Sequence, residues 1–280
     1  MLKSLSVWAL KDNDSRPAGE LFAETRAHGF EAIELAIGTG GLVTLQSTED
    51  DCRRLVEAAA AEGLKVSSLA SGLGWQFPLC AEDPAVRRRA VEVLATSLRA
   101  AGWLGVDVLL VVPGKLAALE GDSADHVPYD VAVERMREGI EQALPVAEQV
   151  GVTIGIENVW NQVLLSPLEM AAFIDGFGSD RVGSYLDVGN MIVTGYAEDW
   201  VRILGRRIRS VHFKDYKRAV GTLDGFCELL EGDVNYPQVM KELRALGYDG
   251  PCVAEFFALD GAALDRLSAA MDRILAMGGG

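Results

Sequence analysis

The chain has 280 residues, room for one sizeable core, and carries 26 lysines and arginines against 41 aspartates and glutamates, a formal charge of −15. That balance opposes phosphate backbones and anionic membranes, so neither a nucleic-acid nor a membrane partner is expected. No apolar stretch reaches the roughly 20 residues of a bilayer span, the opening MLKSLSVWALKDNDS turns charged too soon for a secretory signal, and Cys52, Cys80, Cys227 and Cys252 form no CxxC; a cytoplasmic protein without a thiolate metal site is expected.

From the N-terminus, KSLSVWAL reads as a strand and ELFAETRAHG as an amphipathic helix. HGFEAIELAI follows as strand two with Glu34 at its end, then the helix TEDDCRRLVEAAAAEG, the strand EGLKVSSLA and the helix DPAVRRRAVEVLATSLRAAG. LGVDVLLVV, VGVTIGIEN, VGSYLDVGN, IRSVHFKDY and LGYDGPCVAEF complete a count of eight strands, and YPQVMKELRALG supplies a late helix. Glycines close the helical segments, where a left-handed residue costs glycine little. Asp83-Pro84 and Ser166-Pro167 look like N-caps followed by proline at the first helical position.

Regular alternation of strand and helix implies parallel strands joined by right-handed crossovers. An open doubly wound sheet would alternate in the same way. No glycine-rich phosphate fingerprint follows the first strand, where this chain reads VWALKDNDSRPAGE, and the polar outliers cluster instead at the C-terminal ends of strands five to eight, the rim where barrel enzymes build their sites. A single (β/α)8 TIM barrel over residues 1–280 is therefore the expected fold, since such barrels need about 250 residues.

The polar outliers concentrate at the ends of strands five to eight: Glu157 in IGIEN, Asp187 in SYLDVGN, His212 in SVHFKD and Glu255 in CVAEFF. A buried strand does not carry an unpaired charge without compensation. Taken singly, each could cap a helix or bond within the core. Together, at equivalent places in successive units, they point to a metal site on the rim where barrel enzymes build their chemistry. Three carboxylates and one imidazole suit one divalent ion, Mn²⁺ first, with Mg²⁺, Co²⁺ or Zn²⁺ as alternatives. Glu34 adds a further acid that could face the same mouth.

The order Glu157, Asp187, His212, Glu255, with Arg218 six residues after the histidine, resembles the sugar phosphate isomerase/epimerase family of xylose isomerase-like barrels. Among its members the pattern is most similar to ketose 3-epimerases such as D-tagatose 3-epimerase and L-xylulose 5-phosphate 3-epimerase. The segments SVWAL, SSLASGLGWQFPL and LLEGDVNYPQVMKELRALGYDG extend the similarity along the chain. The resemblance implies a small sugar or sugar phosphate as partner, a homodimer, and epimerisation or isomerisation by proton transfer through an enediolate that the metal stabilises. It casts Glu157 and Glu255 as acid and base as well as ligands, and Asp187 and His212 mainly as ligands. Arg218 would hold a substrate oxygen or phosphate.

In the same reading Asn190 stands where tagatose-type epimerases have a histidine; it can bond a substrate hydroxyl but cannot shuttle a proton near neutrality. Trp160 would wall the pocket, and Lys214 would contact substrate or pair with Asp215 to orient the ligands. A metal-dependent lyase or dehydratase acting on a keto-sugar or inosose, and a catalytically silent metal-bound barrel subunit, are the alternatives on the same residues.

Overall fold

A computed structural model describes residues 1–116 and 126–278. Its main strands are β1 (Leu2–Ser6), β2 (Ala32–Gly38), β3 (Lys65–Ser71), β4 (Val108–Val111), β5 (Thr153–Glu157), β6 (Val182–Asp187), β7 (Ile208–Phe213) and β8 (Pro251–Ala254). Each pairs in parallel with its neighbours in that order. β1 also pairs with β8, Leu2 opposite Pro251, while on its other edge Ser4 lies opposite Ala32 of β2, so the sheet closes on itself. The expected eight-stranded barrel is what forms.

The helices are α1 (Ala18–Ala27), α2 (Glu49–Ala61), α3 (Pro84–Trp103), α4 (Tyr129–Val150), α5 (Pro167–Asp175), α6 (Ala197–Leu204), α7 (Tyr236–Ala245) and α8 (Gly261–Ala276). Their ends follow local chemistry. Asp83 accepts from the Ala85 N–H with Pro84 opening α3, and Ser166 accepts from the Glu169 N–H with Pro167 opening α5. Gly151 closes α4 at φ 76°, the left-handed conformation that a side chain would strain. Among the described residues no helix is long and apolar enough to cross a membrane.

Two buried layers result. The larger lies between strands and helices and includes Leu5, Ile33, Leu35, Leu109, Ile154 and Leu186 from the strands. The smaller gathers Ala70, Val108, Leu110, Val112 and Tyr185, with Trp8 and Trp75 packed against it. Tyr185 on β6 bonds Glu34 on β2 and Ser68 on β3, contacts that reach across the ring only if all three side chains point inward. The barrel interior is therefore part apolar and part polar, and its polar portion leads towards the ends of β5 to β8.

Candidate metal centre

Glu157 is the last residue of β5, Asp187 the last of β6, His212 the last but one of β7, and Glu255 follows β8 directly. Parallel strands in register bring these ends to the same rim, with Asp187 opposite His212 in the β6–β7 ladder. All four side chains are buried. One ligand atom from each lies within 4.8 Å of the other three.

The surroundings aim those atoms. Asp187 Oδ1 accepts the N–H groups of Gly189 and Asn190, both at 2.8 Å, which leaves Oδ2 to face the cluster. The Asp187 backbone is locked by Asn158, whose side chain donates to the Asp187 carbonyl at 2.8 Å and accepts its N–H at 2.9 Å. His212 points Nε2 inward, donating to Glu34 Oε1 at 3.0 Å, and so presents Nδ1 to the carboxylates. Nδ1 lies 2.8 Å from Glu255 Oε2 and 3.6 Å from Glu157 Oε1. A carboxylate on the far nitrogen of a ligating histidine fixes its tautomer and orientation.

Three converging atoms, Asp187 Oδ2, His212 Nδ1 and Glu255 Oε2, are buried without a hydrogen-bond partner. Lys214 Nζ reaches Glu255 Oε2 at 2.6 Å and Asp187 Oδ2 at 3.2 Å, but as charge contacts without hydrogen-bond alignment. Four buried carboxylates, counting Glu34, thus face one ammonium and one imidazole. Orphaned donors of this kind, in excess of negative charge, fit a divalent cation. Burial, reinforced by the charge of Glu255, pushes the Glu157 carboxyl up to about 7. At Glu255 burial acts the same way but is outweighed by Lys214 and His212, which hold that carboxyl well below the usual range. Burial opposes a charge on His212 and on Lys214, yet the surrounding carboxylates raise both groups.

The other residues singled out from the sequence fall in several places. Asn190 is close to the cluster: its side-chain amide donates to the Asn158 carbonyl at 3.0 Å and contacts Glu157 Oε1 at 3.4 Å. Trp160 donates to the Asn190 carbonyl at 2.9 Å and packs on Tyr216 and Phe226. Arg218 stands further out, donating to the Gly195 carbonyl at 2.8 Å with its guanidinium over the Tyr196 ring. Glu34 requires a correction. It is the third residue of the seven in β2, fully buried inside the ring, and its oxygens are taken by His212, Ser68 and Tyr185, so it supports His212 from behind and does not face the mouth.

Lys214 and Asp215 do not pair. Successive residues of an extended chain point to opposite sides, so Lys214 turns to Asp187 and Glu255 while Asp215 accepts the N–H groups of Tyr216, Leu230 and Val234.

Sequence reasoning missed Ser68 and Tyr185, which complete the support of Glu34. Tyr185 sits two residues before Asp187, and strand alternation alone places both on the inner face. It also missed Phe257, a 65% exposed ring stacked on Trp8 with centroids 6.2 Å apart, two residues beyond Glu255. Beside the ligand cluster a pocket of about 220 Å³, lined by Asn158, Trp160, Leu164, Asn190, Met191 and Trp200 among others, opens between the loops that follow β5 and β6.

Comparison with known proteins bears on this geometry. A family model for the xylose isomerase-like TIM barrel matches residues 22–276. L-ribulose-5-phosphate 3-epimerase UlaE of Escherichia coli O1:K1 / APEC is 24% identical over 251 residues, 86% of this chain and 84% of its own. Among solved structures, D-psicose 3-epimerase with D-tagatose, from Clostridium cellulolyticum H10, superposes with a TM-score of 0.80 at 17% identity, covering 98% of this chain and 99% of that one. The 3-keto-D-glucoside 4-epimerase YcjR from E. coli gives a TM-score of 0.77 at 16% identity, covering 98% and 99%. At these identities the structural likeness speaks for the fold.

Proposed function

The chain belongs to the xylose isomerase-like TIM barrel family, and on that premise we propose that it is a divalent-metal-dependent epimerase or isomerase of a ketose or ketose phosphate. The observation that carries the proposal is the buried convergence of Glu157, Asp187, His212 and Glu255 on one point at the barrel rim. A divalent cation held by these four, Mn²⁺ by the hardness of the donor set, supplies Lewis-acid stabilisation of the negative charge that develops on a ketone oxygen as the neighbouring C–H proton leaves.

Glu157 and Glu255 then divide the proton transfer. Glu157 ends β5 and Glu255 follows β8, with β6 and β7 between them around an eight-strand ring, so a substrate lying across the site meets one carboxylate on each face. One removes the proton next to the carbonyl and the other delivers a proton to the opposite face, which inverts that carbon. Asp187 is fixed by the two N–H groups that its Oδ1 accepts, which suits a ligand more than a proton carrier. The exposed ring of Phe257 offers an apolar surface to the C–H face of a sugar. Asn190 and Lys214 are suited to hydroxyl contacts and Trp160 to walling the pocket, while Arg218, at the outer edge, is suited to a distal oxygen or a phosphate. A sugar substrate is supported by the names of the relatives, which act on L-ribulose 5-phosphate, D-psicose and a 3-keto-D-glucoside.

The test is solvent exchange. Protein loaded with Mn²⁺ is incubated in D₂O with a panel of ketoses, ketose phosphates and 3-keto-glycosides, with and without chelator, and products are read by NMR after the metal is removed. Metal-dependent deuterium at a carbon next to the carbonyl, with an inverted or isomerised product, is the expected result. A dehydrated product would replace the epimerase reading by a lyase. Metal binding without exchange on any compound would favour a silent metal-bound barrel.

A further inference from the structure

We propose that Lys214 is an internal counter-cation of the metal centre, its ammonium competing with a divalent ion for Asp187 Oδ2 and Glu255 Oε2; the inference rests on the metal-dependent reading above. The ammonium lies 3.2 Å from the first oxygen and 2.6 Å from the second. Both belong to the ligand cluster, and neither has a hydrogen-bond partner. Two cations drawing on the same two oxygens repel each other, and in a buried site that repulsion is only weakly screened.

The position is built, not incidental. The Lys214 side chain is only 12% exposed. Its stem passes over Gly189, where a Cβ would fall 2.7 Å from Lys214 Cβ and 3.1 Å from its carbonyl carbon, so any larger residue at 189 would push the lysine away. Tyr236 donates its hydroxyl to the Lys214 carbonyl at 2.7 Å and pins the backbone. The Phe226 ring lies 5.6 Å from the ammonium on another side.

Two consequences follow. With the ammonium on Asp187 and Glu255, the carboxylates are partly neutralised and the site stays assembled when no divalent ion is bound. When one binds, the flexible lysine stem yields, and the ammonium turns towards the mouth. Metal affinity is then lower than the four ligands alone would give, in exchange for a stable metal-free protein.

The experiment compares wild type, Lys214→Met, Lys214→Gln and Lys214→Arg by Mn²⁺ titration and by thermal unfolding of chelator-treated protein. Both uncharged variants are expected to bind Mn²⁺ at least about tenfold more tightly than wild type, and to unfold at a lower temperature without metal. Lys214→Arg, which keeps the charge, should stay near wild type in both measurements. Uncharged variants that fold only with Mn²⁺ would support the proposal equally. Binding unchanged or weakened in Lys214→Met and Lys214→Gln would overturn it, because the lysine would then be holding the ligands in place and not competing. Wild type that binds no divalent ion overturns this inference and the functional reading together. Tighter binding in the uncharged variants without solvent exchange on any sugar would sink the functional reading alone.

Discussion

Replacing Glu34 by glutamine removes one charge at nearly constant shape from a residue that the barrel buries completely. Glu34 accepts from Ser68 Oγ at 2.8 Å, from His212 Nε2 at 3.0 Å and from the Tyr185 hydroxyl. A carboxylate can accept all three; an amide must donate on one side. If its NH₂ faces His212, the imidazole must accept at Nε2 and carry its proton on Nδ1, the atom aimed at the ligand cluster. If its NH₂ faces Ser68 and Tyr185, those hydroxyls lose their acceptor and His212 keeps only a neutral partner. Either arrangement forfeits at least one hydrogen bond to a charged group, about 1.5–3 kcal/mol, and a lost partner behind a ligating histidine typically weakens metal binding about 10–100-fold. Overall stability should change less, because glutamine also escapes the cost of burying a charge. Calorimetric titration with Mn²⁺ measures the affinity, and thermal unfolding of chelator-treated protein reports the fold. Wild-type Mn²⁺ affinity in Glu34→Gln would show that His212 does not depend on Glu34 for its tautomer, and the assignment of Nδ1 as the ligand atom would lose its basis.

Further outcomes follow from the same site. Glu157→Gln and Glu255→Gln should each lower kcat by about 10²–10⁴-fold, with far-UV circular dichroism unchanged; normal turnover in both would refute the two-carboxylate mechanism. Arg218→Ala should chiefly raise KM, and more for a phosphorylated substrate than for its free ketose, as steady-state kinetics on the pair would reveal. Metal affinity should rise with pH: Glu157 is pushed up to about 7 and His212 is also raised, each must lose its proton to ligate, and protons therefore compete increasingly as pH falls through that range. Titrations between about pH 6 and 8 should show proton release on Mn²⁺ binding, whereas a flat profile would contradict the raised values. Gly189→Ala should destabilise the protein by about 1–3 kcal/mol in denaturant titration, because the new methyl would lie 2.7 Å from Lys214 Cβ.

The chain itself determined a good deal. Alternation of apolar runs with amphipathic helices and the proline and glycine punctuation were enough for parallel strands joined by helices, because these are local signals of backbone conformation; the lack of a phosphate fingerprint and the polar residues ending strands five to eight then favoured a closed barrel. The four ligand candidates were also legible, since a charge ending an apolar strand stands out against its neighbours, and the closed ring brings the four ends together. What only the tertiary structure decided was the partner of each group. Glu34 looked like one more acid at the mouth; the ring turns it inward to meet Tyr185 from the opposite wall, 151 residues away in sequence. Lys214 sits next to Asp215 in the chain yet pairs with Asp187 and Glu255, because strand pleating sends neighbours to opposite faces while closure brings distant strand ends within 4 Å. Residue type and strand position are written locally, whereas the hydrogen bonds and charge contacts that set tautomer, proton affinity and ligand direction depend on side chains that meet only when the barrel closes.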